Sequence, residues 1–511
     1  MSKLDKSIKN AKVTFGFYFV FLIISFVSRK VFIESLGTEL VGLSGTIQNI
    51  LTFLNLAELG VYSAVTYSLY KPLVDKNHEE INKIISLFGH LYRLIGYFIT
   101  VAGVILSAFL PLIFKKSEVS MVFVYGSYIT FLTLTLISYF NNYRQILLAA
   151  DQRNYTVTRI TNYITISKVI LQIIILKYFT NNYLIWLGLE FISGFIIRYI
   201  TNQRVKKDYP WLSLNLSEGK KLIKEYPAIT RNIKNIFIHK IADFASYQST
   251  QLFIYAFTTL SMVTHYTNYT MITRRISTLI ISTLSSNTAG IGHVIAEGNT
   301  TKTLRIFDEI NVLPHFLAGI FSICFFYLTE PFIVLWLGSG FILPRIAFYC
   351  ILFDFFIVPI RVGVGVFKNG YGLYNDVWAA ITEGILNIIA CTVGGYFWGL
   401  TGILIGGVIA SYVIQSVWRP YFLFSRGFKI SVFHYWKRKI VYLSLFAISI
   451  LIFQPIKKML PDINSVLSFI INGIIIFAFF AVVYGLLMYF FTPETKMLVK
   501  RLSNKFFKKT I

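Results

Sequence analysis

The stretch SVLSFIINGIIIFAFFAVVYGLLMYFF, from Ser465 to Phe491, decides the class of fold. It contains no charged residue and exceeds the roughly 20 apolar residues that a helix needs to cross the hydrocarbon core of a bilayer. A strand of a membrane barrel would instead alternate apolar and polar residues over about ten positions. Because a backbone in hydrocarbon must satisfy its own hydrogen bonds, the stretch predicts a transmembrane helix.

The composition of the whole chain agrees with this prediction. Of its 511 residues, 55% are hydrophobic and only 14% are charged, and the mean hydropathy is +0.64. An ordinary soluble domain carries about a quarter charged residues, so the composition excludes a cytosolic or secreted enzyme and a nucleic-acid-binding protein. We therefore predict an all-α polytopic membrane protein. Its fourteen predicted spans cover residues 12–33, 41–66, 84–112, 119–143, 156–177, 182–203, 233–257, 260–286, 304–328, 341–364, 375–397, 400–423, 440–456 and 465–491.

The net charge of +25 arises from 48 Lys and Arg residues against 23 Asp and Glu residues. In a protein with many spans, Lys and Arg collect in the cytoplasmic loops and hold them on that side. Most of the basic residues here lie before the first span, in the even-numbered connections and after the last span. This asymmetry predicts that both termini are cytoplasmic.

Motifs for enzymatic or metal chemistry are missing from the sequence. Cys324, Cys350 and Cys391 lie in apolar runs without metal-ligand spacing, and the seven histidines are scattered. The sequence has no phosphate-binding loop, no HExxH and no GxSxG. The connections between spans are also too short for a soluble catalytic domain. We predict neither an enzyme nor a bound cofactor or metal.

Helices 1–6 and 7–12 look like one six-helix unit used twice. The offset between matched positions shrinks steadily from 224 residues at the start of the unit to 218 at its end. Because six is even, both units enter the membrane with the same orientation, and a cavity is expected between them. The matched positions are Leu36 and Leu260, Asn77 and Asn299, Pro111 and Pro331, Tyr178 and Tyr396, Phe179 and Phe397, and Gly188 and Gly406.

This duplication predicts the domain organisation. Residues 1–203 form an N-lobe, 204–232 a cytoplasmic linker, 233–424 a C-lobe, and 425–511 the last two helices with a basic cytoplasmic tail.

Polar residues inside the spans indicate a hydrated, cationic cavity. Helix 7 carries Lys240, Asp243 and Gln251 on one stripe, and helix 8 carries Asn268 and Arg275 on another. Lys240 and Asp243 could instead neutralise each other within their helix, and single Asn or Thr residues often form interhelical hydrogen bonds. Taken together, the stripes favour a cavity that suits an anionic group such as phosphate. The candidate binding residues are Arg275, Lys240, Lys168, Asn268, Gln48 and Asn55.

Three acids lie deep enough in the predicted spans to bind a proton or sodium ion during transport. They are Asp354, Glu383 and Asp243. A neighbouring cation such as Lys240 favours the ionised form of Asp243, so Asp354 and Glu383 are the better candidates for proton coupling.

The stretch FIESLGTELVGLSGTIQNILTFLNLAELGVYSAVTYSLYKPL, residues 32–73, resembles the first two spans of Wzx-type oligosaccharide flippases. These proteins belong to the multidrug/oligosaccharidyl-lipid/polysaccharide exporter superfamily. The resemblance extends to the length, the basic middle linker and the arrangement of six, six and two helices. Its short elements are Leu36-Gly37, Gly42-Leu43, Leu59-Gly60 and the run Ser68 to Leu73.

The resemblance implies two lobes that form a V-shaped cavity, with the last two helices forming a side groove for a lipid tail. It also implies movement of polyprenyl-diphosphate-linked oligosaccharides across the bacterial inner membrane for surface polysaccharide synthesis by alternating access. The expected partners are that substrate, membrane lipids, and polysaccharide polymerase or ligase machinery. Two alternatives remain: a MATE-like drug/cation antiporter and a lipid II flippase. The drug exporters of the superfamily typically have twelve spans.

Overall fold

The structure is a computed structural model that describes residues 3–179, 183–227, 241, 244–285, 288–373 and 375–507. The chain divides into two compact units, Met1–Thr264 and His265–Ile511. The described residues form helices and connections without a β-strand, which confirms the predicted all-α class. The finer division into lobes and a linker stays a prediction.

The helices of the first unit pack both against their neighbours along the chain and against helices distant in sequence. α1 packs against α6, α4 packs against both α3 and α7, and α9 lies against α1. The Tyr255 hydroxyl of α9 donates to the Ile113 carbonyl at 3.0 Å, which ties this helix to the end of α3. The helices are α1 Lys3–Leu54, α2 Leu56–Val74, α3 His78–Ile113, α4 Met121–Asn141, α5 Ile146–Ala150, α6 Asn154–Tyr178, α7 Tyr183–Asp208, α8 Gly219–Glu225 and α9 Thr250–Phe257.

The second unit is arranged around its longest helix, α12. The helices α13, α18 and α19 all pack against α12. Ser465 begins α18 with a reciprocal capping box, because its hydroxyl and that of Ser468 each accept a hydrogen bond from the other residue's backbone N–H. The helices are α10 Leu260–Ser285, whose first turn belongs to the first unit, α11 Thr288–Ala296, α12 Thr300–Leu337, α13 Arg345–Ile360, α14 Val362–Gly370, α15 Val377–Ser411, α16 Arg419–Phe422, α17 Phe433–Lys457, α18 Val466–Phe491 and α19 Pro493–Phe507.

Two glycines divide long helices into separate segments. Gly37 has φ 82° and ψ 171° within α1, and Gly399 has φ 55° and ψ −134° within α15. These conformations are essentially restricted to glycine, because a Cβ would clash with the backbone. Each break falls between two of the spans predicted from the sequence.

Among the described residues, ten helical stretches are long and apolar enough to cross a membrane by length and composition. Two of the ten are the stretches that Gly37 and Gly399 divide. The predicted spans at 233–257 and 260–286 are not among these ten. Residues 228–240, which include the start of the first of these spans, lie outside the described part of the chain. The second span corresponds to α10, which carries two arginines. A polytopic membrane protein is therefore supported, and the number of fourteen crossings stays a prediction.

The beginnings of α3 and α12 support the internal repeat. The Asn77 side chain accepts a hydrogen bond from the backbone N–H of Glu80 at 3.0 Å, and Asn299 accepts one from that of Lys302 at 2.9 Å. Both residues are N-caps, and each helix contains a proline near its far end. Two residues matched by sequence offset thus have the same local role in the two units.

The helix α19 is anchored by buried polar contacts to α12 and α17. Glu494 forms an ion pair with Arg438 and accepts a hydrogen bond from the Tyr442 hydroxyl at 2.7 Å. Farther along α19, the Arg501 guanidinium lies 3.0 Å from Glu309. Because Glu309 and Glu494 are only 1% and 2% exposed, these contacts stabilise two otherwise costly buried carboxylates.

Candidate functional site

The helix α10 presents two of the predicted binding residues on one face. Asn268 is completely buried, and neither polar atom of its side chain has a hydrogen-bond partner among the described residues. Arg275 lies two turns farther along and is half-buried, with no ion-pair partner within the described part of the chain. An unsatisfied buried amide is costly, so this face offers unused hydrogen-bonding capacity beside a positive charge.

A second cationic cluster on α10 involves residues that the sequence analysis did not select. Arg274 is exposed and interacts electrostatically with Tyr266 on its own helix and with Asp354 of α13. Arg361, at the end of α13, acts on the same carboxylate and donates to the Ser411 hydroxyl at 2.8 Å. Two guanidinium groups thus interact electrostatically with one carboxylate, and these three side chains together carry a net positive charge.

Glu383, the second predicted coupling acid, lies in a different environment. It is 2% exposed and accepts a hydrogen bond from the Gln415 amide at 2.6 Å. Arg419 approaches the same carboxylate oxygen at 3.7 Å. Glu383 therefore connects α15 to the helical segment that follows it, whereas Asp354 is exposed.

Lys168 does not present an uncompensated charge. Its Nζ lies 2.7 Å from Oε1 of Glu190 on the next helix, and Gln172 donates to the same oxygen at 3.0 Å. The sequence analysis selected Lys168 as a binding residue from the pattern of its own helix, which could not show an acid on α7. The pair joins α6 to α7 within the first unit.

Gln48 and Asn55 lie on the second half of α1 and directly after it. Gln48 is exposed, and Asn55, at the break between α1 and α2, accepts a hydrogen bond from the Tyr139 hydroxyl at 3.1 Å. The residue beside Gln48 was missed by sequence reasoning: the Asn49 amide donates to Gln251 at 2.9 Å. Gln251 belongs to the polar stripe predicted on helix 7, which therefore faces α1 at this point.

The remaining predicted residues, Lys240 and Asp243, lie outside the described residues. Asn268, Arg275, Asp354 and Glu383 belong to the second unit, and Gln48, Asn55 and Lys168 belong to the first. Within the second unit, the cluster around Asp354 combines a net positive charge with exposure. Guanidinium groups in such an arrangement bind phosphate oxygens through paired hydrogen bonds.

Comparison with solved structures shows that the fold is that of transporters of the MOP superfamily. The lipid II flippase MurJ, in an inward closed conformation, superposes with a TM-score of 0.59 at 14% sequence identity, covering 93% of this chain and 98% of its own. An inward-facing multidrug resistance MATE family transporter of the MOP superfamily gives 0.57 at 13% identity, covering 77% of this chain and 92% of its own.

A third similar structure is a MOP superfamily transporter from Pyrococcus furiosus, described as having a binding pocket of reversed polarity that suggests a different function. Its TM-score is 0.53 at 12% identity, and the match covers 83% of this chain and 95% of that protein. No protein-family model and no curated protein matches the sequence.

Proposed function

We propose that this protein is a Wzx-type flippase, not an enzyme, that moves polyprenyl-diphosphate-linked oligosaccharide repeat units across a bacterial cytoplasmic membrane. The translocated units would supply a surface polysaccharide such as O-antigen, capsule or exopolysaccharide. Both termini would lie in the cytoplasm. Polymerase or ligase machinery would then use the repeat units on the outer side.

The observation that carries the proposal is the cationic cluster on α10 and α13. Arg274 and Arg361 both interact electrostatically with Asp354, and Arg275, next to Arg274 in sequence, has no acidic partner among the described residues. A cavity that transports cations needs an excess of acidic groups. An excess of guanidinium groups favours an anionic substrate instead, and a diphosphate provides several oxygens for paired hydrogen bonds.

The extent of the structural likeness supports a lipid-linked substrate. The match to the lipid II flippase covers 93% of this chain, whereas the match to the MATE transporter covers 77%. Additional helices beside the transport unit would provide a surface for a lipid tail. The C-terminal helices α17 and α18 are the candidates for this role, as the resemblance to the Wzx-type flippases implies.

The physical task of such a protein follows from the chemistry of its substrate. A sugar diphosphate cannot cross hydrocarbon, because its charges and hydroxyls would lose their water, but a polyprenyl tail can remain in the bilayer. The protein has only to provide a polar path with a lateral opening. Asp354 is the favoured acid for coupling this movement to an ion gradient, and Glu383 and Asp243 are the other candidates.

Deletion of the gene in its host, followed by complementation, tests the proposal. We expect the deletion to abolish surface polysaccharide and to cause lipid-linked repeat units to accumulate on the cytoplasmic side, and the wild-type gene to reverse both effects. Unchanged polysaccharide together with increased sensitivity to cationic drugs would support the antiporter instead. Rescue of cells depleted of their lipid II flippase would assign the protein to that function.

A further inference from the structure

A cavity of about 330 Å³ lies between the ends of α4 and α7 in the first unit. Its size is at the lower end of the roughly 300–1,000 Å³ typical of small-molecule sites. The walls come from the last turn of α4, the short helical turn at residues 142–145, and the last three turns of α7. None of the candidate residues of the transport site lines this cavity.

The lining of this cavity is strongly basic. Arg144, Arg198 and Lys206 all contribute to it, and the described lining contains no Asp or Glu. Asp208, two residues after Lys206, is engaged elsewhere, because it forms ion pairs with Arg153 and Arg204 at 2.7 and 3.0 Å. The three cations therefore favour an anionic occupant.

The position of Arg198 is fixed by the protein backbone. Its two terminal nitrogens donate to the carbonyls of Gly194 and Leu134 at 2.8 and 2.7 Å. These two hydrogen bonds orient the guanidinium between α7 and α4. Arg198 thus joins α7 to α4 in the wall of the cavity, while Arg144 and Lys206 can reach an anion directly.

Two further features indicate a lipid headgroup. The side chains of Phe195 and Tyr199 line the cavity and are 53% and 58% exposed, so an apolar surface continues from the site towards the acyl-chain region. The buried Oδ1 atom of Asn202 has no hydrogen-bond partner among the described residues and can accept a hydrogen bond from a hydroxyl. Phosphate, hydroxyl and acyl chain together describe a hydroxylated anionic glycerophospholipid.

We propose that the cavity between α4 and α7 binds an anionic phospholipid with a hydroxylated headgroup, such as phosphatidylglycerol. Arg144 and Lys206 bind the phosphodiester, Asn202 binds a headgroup hydroxyl, and Phe195 and Tyr199 contact the acyl chains. Basic pockets between transmembrane helices bind anionic headgroups in this way. This site is separate from the cluster around Asp354 and does not depend on the proposed transport function.

The test uses the full-length protein equilibrated with equal amounts of phosphatidylglycerol and phosphatidylcholine, and native mass spectrometry to count the lipids that stay bound. The wild-type protein should retain phosphatidylglycerol selectively. The double variant Arg144→Gln/Lys206→Gln should lose this selectivity by about ten- to thirty-fold, since each cation near an anionic lipid contributes about 1 kcal/mol and 1.4 kcal/mol corresponds to tenfold.

Two matched single variants provide the control and keep the test independent of folding defects. Lys206→Gln should reduce selective retention, whereas Lys207→Gln, which changes an exposed lysine outside the cavity, should not. Equal effects of the two substitutions, or wild-type retention in Lys206→Gln, would overturn the proposal. Displacement of the bound lipid by millimolar inorganic phosphate would instead identify a site for soluble anions and would also overturn it.

Discussion

Lys168 on α6 and Glu190 on α7 form an ion pair with 2.7 Å between Nζ and Oε1. Their side chains are only 14% and 17% exposed, and Gln172 donates to the same carboxylate oxygen. Removing one partner of a buried ion pair destabilises the folded protein, because the other charge stays buried without compensation. The charge of Lys168 therefore contributes to helix packing in the first unit.

The first prediction concerns this pair. Lys168→Met and Glu190→Gln should each lower the thermal stability of the purified protein, and the double variant should be more stable than the sum of the two losses predicts. The coupling energy from the double-mutant cycle should be about 1–3 kcal/mol. Additive losses would show that the two side chains do not interact.

The second prediction concerns the cationic face of α10. Arg275→Ala should abolish surface polysaccharide while leaving the amount of membrane-inserted protein unchanged, because a substrate contact is lost. Arg275→Lys should retain part of the activity, since the charge remains but the paired hydrogen bonds of the guanidinium do not.

The control for this experiment is Arg345→Ala, which removes an exposed arginine at the start of α13 in the same unit. Export in this variant should match the wild type. Normal export per molecule in Arg275→Ala would exclude Arg275 from the substrate site. A reduced protein level with normal export per molecule would assign it a role in folding.

The third prediction separates the two described candidate acids for ion coupling. Asp354 is exposed and Glu383 is buried against Gln415. Asp354→Asn should therefore reduce transport and its dependence on the ion gradient at an unchanged protein level. Glu383→Gln should mainly lower stability, because it weakens contacts between α15 and the following segment. Gradient-dependent transport that survives in Asp354→Asn would exclude this acid from coupling.

The fourth prediction concerns the break in α1. Gly37→Ala should destabilise the protein by about 1–3 kcal/mol, because alanine cannot readily adopt φ 82° and ψ 171°. The matched control is Gly188→Ala within α7, where an added Cβ meets no atom within 4 Å. This control should be neutral or slightly stabilising. Thermal unfolding of both variants in detergent measures the difference.

The fifth prediction concerns the pH dependence of the α19 anchor. Burial alone would raise the pKa of Glu494, but hydrogen bonds from Arg438 and Tyr442 keep it below its ordinary value of 4.5. A carboxylate with a depressed pKa in the folded state stabilises the protein above the ordinary pKa, and this contribution disappears as the pH falls through the folded-state pKa.

The stability difference between the wild type and Glu494→Gln should therefore be constant at neutral pH and shrink at pH values below 4.5. Thermal unfolding from pH 7 to pH 4, combined with limited proteolysis of α19, measures it. A difference that grows on acidification would contradict the assigned direction of the pKa shift.

The sequence predicted the helical class because it depends on local patterns, and the repeated unit stays a prediction that the matched N-caps support. Apolar length defines a membrane helix, and Asn77 and Asn299 each carry a side chain that suits the start of a helix. The glycine-only conformation at Gly37 had no such signal, because many glycines in this chain have ordinary helical conformations. Its role depends on how consecutive helices are connected.

The site was predicted less completely because helical periodicity defines a face but not what that face contacts. Arg274 lies away from the stripe of Asn268 and Arg275, yet it interacts electrostatically with Asp354 of α13, a helix that is distant in sequence. Lys168 was similarly expected to be a cavity cation until the position of Glu190 on α7 was known. Pairing between helices requires the relative rotation of two helices, which a single sequence does not contain.

The anchoring of α19 has a practical consequence for the design of reporter fusions. A truncation or junction placed directly after α18 would remove Glu494 and Arg501, leaving Arg438 and Glu309 without these partners. The resulting loss of fluorescence or yield would then report damage at the junction rather than a property of the transporter. Tags and fluorescent proteins for this chain are therefore best attached beyond Phe507, where the described part of α19 remains intact.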